Sequence, residues 1–84
     1  MTGSTLSPVQ KRILRFFHDQ PQAVETVKGI AAWLCHEPEA VQHAMHDLVE
    51  RKWLSKHESS ALTGYALTAD EMMLTEIRDA LNGA

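Results

Sequence analysis

The chain lacks several features that would place it in other classes of protein. It has a single cysteine, Cys35, so no intrachain disulfide can form and a reducing compartment suits it best. No apolar run approaches the roughly 18 residues that span a bilayer. The N-terminus also lacks the basic and apolar segments of a secretory signal. We therefore expect a cytoplasmic protein that makes no contact with a membrane.

An excess of positive charge is also missing. Eight Lys and Arg residues stand against 11 Asp and Glu, which gives a net charge of −3 with the histidines neutral. Proteins that bind nucleic acid are often basic on one face, so this balance counts against a polyanionic partner. The sequence has no nucleophile–base set, phosphate-cradling glycine loop or paired-carboxylate pocket, so we do not expect an enzyme.

What the chain does contain is the pattern of a small globular domain. Its 84 residues suit one domain, and a hydrophobic content of 44% is too high for a disordered chain. A capping box at residues 7–10 begins a helix that fades before Pro21, Thr26 caps a second helix, and Pro38 begins a third. The apolar residues at helical spacing in these helices are Val9, Ile13, Phe16, Phe17, Val27, Ile30, Ala31, Leu34, Val41, Ala44, Met45, Leu48 and Val49.

The spacing of apolar residues changes after Lys52. Residues 23–25 predict a short extended link, and residues 53–57 and 64–67 predict two strands of a hairpin joined by a polar loop. A second capping box, Thr68-Ala69-Asp70-Glu71, begins a fourth helix that ends near Leu81. We expect residues 1–6 to be a flexible lead-in, 7–82 the folded domain and 83–84 a tail.

Three short motifs in this order sharpen the interpretation. They are Ile30-Ala31 with Leu34, the run from Val41 to Arg51 followed by Trp53-Leu54, and Tyr65-Ala66-Leu67-Thr68. Together they resemble the winged helix-turn-helix domains of small bacterial transcriptional regulators of the MarR-like, PadR-like and ArsR-like families. The resemblance covers residues 7–81. It implies a mainly α fold with a small β-hairpin (helix, strand, helix, helix, hairpin, helix). It departs from the usual pattern at Lys52, where a glycine normally ends the third helix.

This resemblance implies a DNA-binding module of a transcriptional regulator, with the third helix in the major groove of double-stranded DNA. The amide of Gln42 can make a bidentate contact with adenine, and lysines of the wing can contact phosphates. The densest group of cations on the first helix suits phosphates, acidic groups of a partner or, as the simplest interpretation, a solvated helix face. These cations are Lys11, Arg12 and Arg15. The predicted DNA-contacting residues are Glu39, Gln42, His43, His46, Arg51, Lys52, Lys56 and His57.

A second function remains open, because the third helix is acidic. Residues 37–51 carry four carboxylates and one cation, which suits a basic protein partner better than a polyanion. A homodimer through the C-terminal helix is also expected, since a short chain gains buried area from a partner and two-fold dimers are common. The predicted interface residues are Trp33, Met72, Met73, Leu74, Ile77 and Leu81.

A metal or redox site is the weakest hypothesis. Cys35 and His36 precede the third helix, and His43 and His46 share one of its faces, so imidazole and thiolate ligands for zinc or copper are present. There is no Cys-x-x-Cys motif, and a lone cysteine often packs in a core as a small apolar residue. We therefore predict neither a metal nor a cofactor.

Overall fold

The computed structural model describes residues 6–82, which form four helices and one three-stranded antiparallel sheet. In these residues no helix is long and apolar enough to cross a membrane. The strand order is β1-β3-β2, so the wing hairpin β2–β3 carries the short β1 on its outer side. The elements in chain order are α1 (Pro8–Asp19), β1 (Val24–Glu25), α2 (Val27–Leu34), α3 (Pro38–Glu50), β2 (Leu54–Glu58), β3 (Thr63–Leu67) and α4 (Glu71–Leu81).

Side-chain caps start three of the four helices. Ser7 Oγ accepts from Gln10 N at 3.2 Å while Gln10 Oε1 accepts from Ser7 N at 3.0 Å, which confirms the predicted capping box of α1. Thr26 caps α2 through a bond from Gly29 N at 3.0 Å, also as predicted. Each cap satisfies a backbone N–H that has no partner within its own helix.

The predicted cap of α4 is wrong by two residues. Asp70 caps the helix, accepting from Met73 N at 3.1 Å, whereas Thr68 Oγ1 accepts from Asp70 N. Thr68 belongs to the end of the hairpin instead, since its N–H donates to Trp53 O at 3.0 Å and so extends the pairing of the hairpin by one bond. The chain leaves the hairpin after Thr68, and α4 begins at Glu71.

Two non-glycine residues in the left-handed region end α2 and α3. They are Cys35, with φ 54°, and Lys52, with φ 68°. At the end of α3, Lys52 N donates to Val49 O at 2.9 Å and Trp53 N donates to Leu48 O at 3.0 Å. This is the Schellman arrangement, in which glycine is the usual left-handed residue. The bond from Trp53 also explains why β2 begins at Leu54, one residue later than predicted.

One hydrophobic core lies between the helices and the sheet. Leu6 is 5% exposed and belongs to this core, so the predicted lead-in is one residue too long at its C-terminal end. The predictions for residues 1–5 and 83–84 lie outside the described residues. The buried apolar residues are Leu6, Ile13, Leu14, Phe17, Ile30, Ala31, Leu34, Val41, Ala44, Met45, Leu48, Trp53, Leu54, Tyr65 and Ile77.

Candidate nucleic-acid interface

The exposed face of α3 presents a stripe of alternating chemistry. The core-facing residues of this helix include Val41, Met45 and Leu48. Directly opposite them stand Glu39, His43, His46 and Glu50, at steps of four, three and four residues, all exposed. We call these four residues the α3 stripe. His46 Nε2 lies 3.6 Å from Glu50 Oε2, so an imidazole and a carboxylate of the stripe are already in contact.

Beside this stripe, an open groove of about 600 Å³ runs between α3 and the wing. Glu39 and Gln42 line it from α3, Lys56 from β2 and Lys28 from α2. The structure thus brings together three of the predicted DNA-contacting residues and adds Lys28, which the sequence prediction missed. The remaining lining residues are Thr26, Val27, Pro38, Ala61, Leu62, Thr63 and Tyr65.

The position of Lys28 follows from how α2 begins. Thr26 caps the helix beside the groove, and the first turn then carries Lys28 to the surface while Ile30 enters the core. The only signal in the sequence is a lysine two residues after a helix cap, which does not by itself indicate a site. The tight turn that brings the start of α3 alongside the start of α2 gives this lysine its neighbours.

The wing lysine is held by a carboxylate. Lys56 Nζ lies 3.2 Å from Glu58 Oε2, two residues along the same face of β2. The side-chain hydrogen bond with Glu58 raises the pKa of Lys56 above its usual value, and the Coulombic attraction of Glu58 adds to this. Lys56 is therefore firmly cationic, but Glu58 competes with any anion that approaches it.

The other wing side chains bond locally. His57 Nε2 lies 3.1 Å from Ser55 Oγ at the exposed surface of β2. Ser59 Oγ accepts from Ala61 N and Leu62 N, which organises the turn at the wing tip. Leu62 is 65% exposed there, so the tip offers an apolar side chain at the mouth of the groove.

Arg51 and Lys52 lie at the far end of α3. At 1.5 Å per residue, Arg51 is about 14 Å along the helix axis from Gln42. Arg51 Nε donates to Asp47 Oδ2 at 3.3 Å, and its guanidinium lies over the Trp53 ring at 5.6 Å. Lys52 is exposed. The structure therefore does not bring these two cations into the groove with Lys56.

The Asp47 carboxylate joins α3 to α1. It accepts from the buried Gln10 side chain at 2.6 Å as well as from Arg51. The carbonyl oxygen of the same Gln10 amide accepts from Ser7 N in the capping box. One glutamine thus fixes the start of α1 and the orientation of α3 together.

The arginines of α1 bond to the ends of other helices. Arg12 Nη2 donates to Leu34 O, at the end of α2, at 2.8 Å, and Arg15 Nη2 donates to Leu81 O, at the end of α4, at 3.1 Å. Cations are favoured at helix C-termini because the last carbonyls lack partners there. These contacts assign both arginines a structural role that the sequence prediction did not foresee.

The predicted association residues separate into two groups. Ile77 is fully buried within this chain, so its assignment to an interface is wrong, and Met73, Leu74 and Leu81 are half-buried against the same core. The helix α4 packs most of its apolar side chains against the core of its own domain, so few of them remain available to a partner. Exposed apolar side chains remain at Met72, which is 74% exposed, and at Trp33.

Trp33 projects from α2 beside α1. It is 65% exposed, and its ring meets that of Phe16 edge to face at 5.8 Å. The contact with Phe16 shows that Trp33 covers part of the neighbouring α1, and its place in an interface stays a prediction.

The metal hypothesis finds no cluster to support it in residues 6–82. There, no three His, Cys, Asp or Glu side chains come together in an arrangement that could hold an ion. Cys35 is exposed at the left-handed end of α2, so it does not pack in the core as a small apolar residue either.

Comparison with known proteins supports the fold. No protein-family model matches the chain, and no curated protein matches it. Solved structures do: a point mutant of ZitR from Lactococcus lactis matches with a TM-score of 0.72 and 21% identity over 98% of this chain and 55% of that chain. ZitR in complex with DNA matches with a TM-score of 0.69 and 21% identity over 96% of this chain and 54% of that chain.

The adhesin competence repressor AdcR from Streptococcus pyogenes matches with a TM-score of 0.68 and 21% identity, over 95% of this chain and 60% of that chain. The chain spans little more than half the length of these proteins. At this level of identity the similarity establishes the fold, and it confirms the predicted winged helix of four helices and a small antiparallel sheet.

Proposed function

We propose that this chain is a DNA-binding module of a transcriptional regulator, with α3 in the major groove and the wing along the flanking backbone. The observation that carries the proposal is the groove between α3 and the wing, which is lined by Gln42 and by two lysines from different elements, Lys28 and Lys56. A base-reading amide flanked by phosphate-binding cations is the division of labour that DNA recognition requires.

Each residue then has a distinct task. Gln42 makes a bidentate contact with adenine, and Glu39, on the same side of α3, accepts from a cytosine amine. Lys28 and Lys56 bind phosphates on the wing side, and Lys52 binds the backbone at the far end of α3. Arg51 contributes less to DNA contact, because Asp47 and the Trp53 ring already hold its guanidinium.

The similar structures support the proposal in a limited way. One of them is ZitR in complex with DNA, and another is a competence repressor. At 21% identity, carrying these activities over to this chain belongs to the proposal. Because this chain aligns with the DNA-bound ZitR structure over 96% of its own length, we expect it to bind DNA as well.

The two carboxylates of the α3 stripe favour a second candidate function, a winged helix that binds a basic protein. Glu39 and Glu50 flank the exposed line of α3, and Glu58 partly neutralises Lys56. Uncompensated carboxylates next to phosphates weaken binding by like-charge repulsion. We nevertheless place DNA first, because the two lysines that line the groove suit a polyanion and would serve no purpose with a basic partner.

Fluorescence anisotropy with short random-sequence DNA duplexes tests the two candidates. We expect binding that weakens between roughly 50 and 200 mM salt, because each phosphate contact releases counterions. Lys56→Ala should lower the slope of log affinity against log salt by about 1. Arg78→Ala, which removes an exposed cation from α4, is the matched control and should leave the slope unchanged.

Two results would count against DNA binding. One is no binding at either salt concentration, and the other is an affinity that does not change with salt. Saturable binding of a lysine-rich peptide, together with no binding of the duplexes, would support the protein-binding candidate instead. Gln42→Ala should weaken DNA binding without changing the salt slope, since it removes a contact to a base edge rather than to a phosphate.

A further inference from the structure

Histidines are concentrated on the face proposed to bind DNA. His36 lies two residues before α3, His43 and His46 belong to the α3 stripe, and His57 is in the wing, all of them exposed. His18, the fifth, lies on α1 beside Asp19. Histidine is the one side chain whose ordinary pKa falls between pH 5 and 8, so this face can change its charge within the physiological range.

Protonation of these imidazoles reverses the formal charge of the segment from His36 to Glu58, which contains α3 and β2. Between His36 and Glu58 there are three cations and five carboxylates, so the formal charge is −2 with the imidazoles neutral and +2 with all four protonated. The cations are Arg51, Lys52 and Lys56, and the carboxylates are Glu37, Glu39, Asp47, Glu50 and Glu58.

We propose that DNA binding by this face is linked to protonation of His43 and His46, so that the chain binds DNA tightly in mildly acidic solution and weakly in alkaline solution. This inference rests on the proposed function and adds its regulation. Protonated His46 forms an ion pair with Glu50, whose Oε2 lies 3.6 Å from its Nε2, and so cancels the repulsion between that carboxylate and DNA. His43 lies one turn after Glu39 on the same stripe, so its protonation adds a compensating positive charge on the side of α3 that carries this carboxylate.

Of the two carboxylates of the α3 stripe, Glu50 contacts a histidine, whereas Glu39 lines the groove with Lys28 and Lys56. On α3 itself, Asp47 is taken by Gln10 of α1 and by Arg51. Lys28 is the cation that α2 presents at the groove, and β2 presents Lys56, which is paired with Glu58. The contact of Glu50 with His46 is thus the ion pair of the α3 stripe whose strength depends on an imidazole proton.

The size of the effect follows from linkage. One proton that is taken up together with DNA gives about a tenfold gain in affinity between about pH 7.5 and about pH 5.5, the range in which histidine side chains ordinarily change charge. Two such protons give at most about a hundredfold. The sign is fixed, because DNA favours the charged form: affinity is high below the ordinary pKa of histidine and falls as the pH rises through it.

The test is a series of anisotropy titrations of the whole chain with random-sequence duplexes at constant ionic strength across this pH range. We expect the wild-type affinity to rise by between about tenfold and a hundredfold on acidification. His43→Gln and His46→Gln should each lose up to about tenfold of the gain, and the double variant most of it. Glutamine keeps a hydrogen-bonding group of similar reach but cannot take up the charge.

His18→Gln is the matched control, since it also removes an exposed imidazole near a carboxylate, with 3.8 Å between His18 Nδ1 and Asp19 Oδ1. It should keep the full pH dependence. Circular dichroism at each pH verifies that every variant stays folded, and unfolding in acid would weaken binding, the opposite of the expected change. Equal affinity at all pH values, or a full gain in the double variant, would overturn the proposal. Absence of DNA binding at every pH would overturn the proposed function itself.

Discussion

Replacing Lys52 by glycine should stabilise the domain, although it removes a charged side chain. Lys52 ends α3 with φ 68°, a conformation that places Cβ close to the following carbonyl oxygen and costs an L-residue about 1–2 kcal/mol. Glycine avoids this cost. The side chain is exposed, and the two backbone bonds of the Schellman motif, from Lys52 N and Trp53 N, do not depend on it.

The net gain is smaller than the relieved strain. Glycine adds conformational freedom to the unfolded chain, which costs roughly 0.5–1 kcal/mol. The middle values of the two ranges leave a stabilisation of about 0.75 kcal/mol for Lys52→Gly. For a domain of this size, 1 kcal/mol corresponds to a shift of about 4–8 °C in melting temperature, so we expect a rise of roughly 3–6 °C.

Thermal unfolding followed by circular dichroism measures this shift, and Lys52→Ala is the control. Both variants lose the same charge, but alanine keeps a Cβ in the left-handed conformation and should not be stabilised. A glycine variant that melts at or below the temperature of the alanine variant would refute the reasoning. DNA affinity supplies a second readout, since both variants should lose the same phosphate contact.

Three further predictions concern the α1–α3 contact and the groove. Asp47→Ala should lower the free energy of unfolding by about 1–3 kcal/mol in denaturant titrations, because the buried Gln10 amide loses its acceptor; a cost equal to that of the exposed Glu50→Ala would contradict this. Gln42→Ala should weaken binding of an adenine-containing duplex by about 1–3 kcal/mol; equal loss for all duplexes would refute a base contact. Glu58→Gln should tighten DNA binding, because it removes the carboxylate that competes for Lys56. It should also lower the pKa of Lys56, measured by NMR titration, because Glu58 raises that pKa. An unchanged pKa would show that Glu58 does not hold Lys56.

The periodicity of apolar residues predicted the helices well. The stripes of α2 and α3 correctly identified Ile30, Leu34, Met45 and Leu48 as buried, because a helix this short is stabilised mainly by the one face that it packs on the core. The helix caps at Ser7 and Thr26 were also predicted correctly, because each accepts from a backbone N–H only three residues away in the chain.

Features that depend on distant residues were not predictable. Thr68 was predicted to cap α4. Its N–H instead pairs with Trp53 O across the hairpin, and Asp70 caps the helix. Arg12 and Arg15 looked like ligands for an anion, but carbonyls 22 and 66 residues away in sequence accept their hydrogen bonds. No local pattern encodes such partners.

The candidate site was predicted in part for the same reason. Glu39, Gln42 and Lys56 come together in the groove, because the order of elements fixes where α3 meets the wing. Arg51 was predicted from its place at the end of α3, where Asp47 and Trp53 in fact hold it. Lys28 was missed because its role depends on how α2 lies beside α3, which capping and periodicity do not specify.

The most direct test of the central claim is an NMR titration of the isotope-labelled chain with a DNA duplex, which maps the surface that DNA contacts. We predict that the amide signals that shift belong to the first half of α3, from Glu39 to His43, to Lys28 and to the wing around Lys56. The signals of α4 and of the Trp33 side chain should stay in place. Shifts centred on Trp33 and α4 with α3 unchanged, or no shifts on addition of DNA, would contradict it.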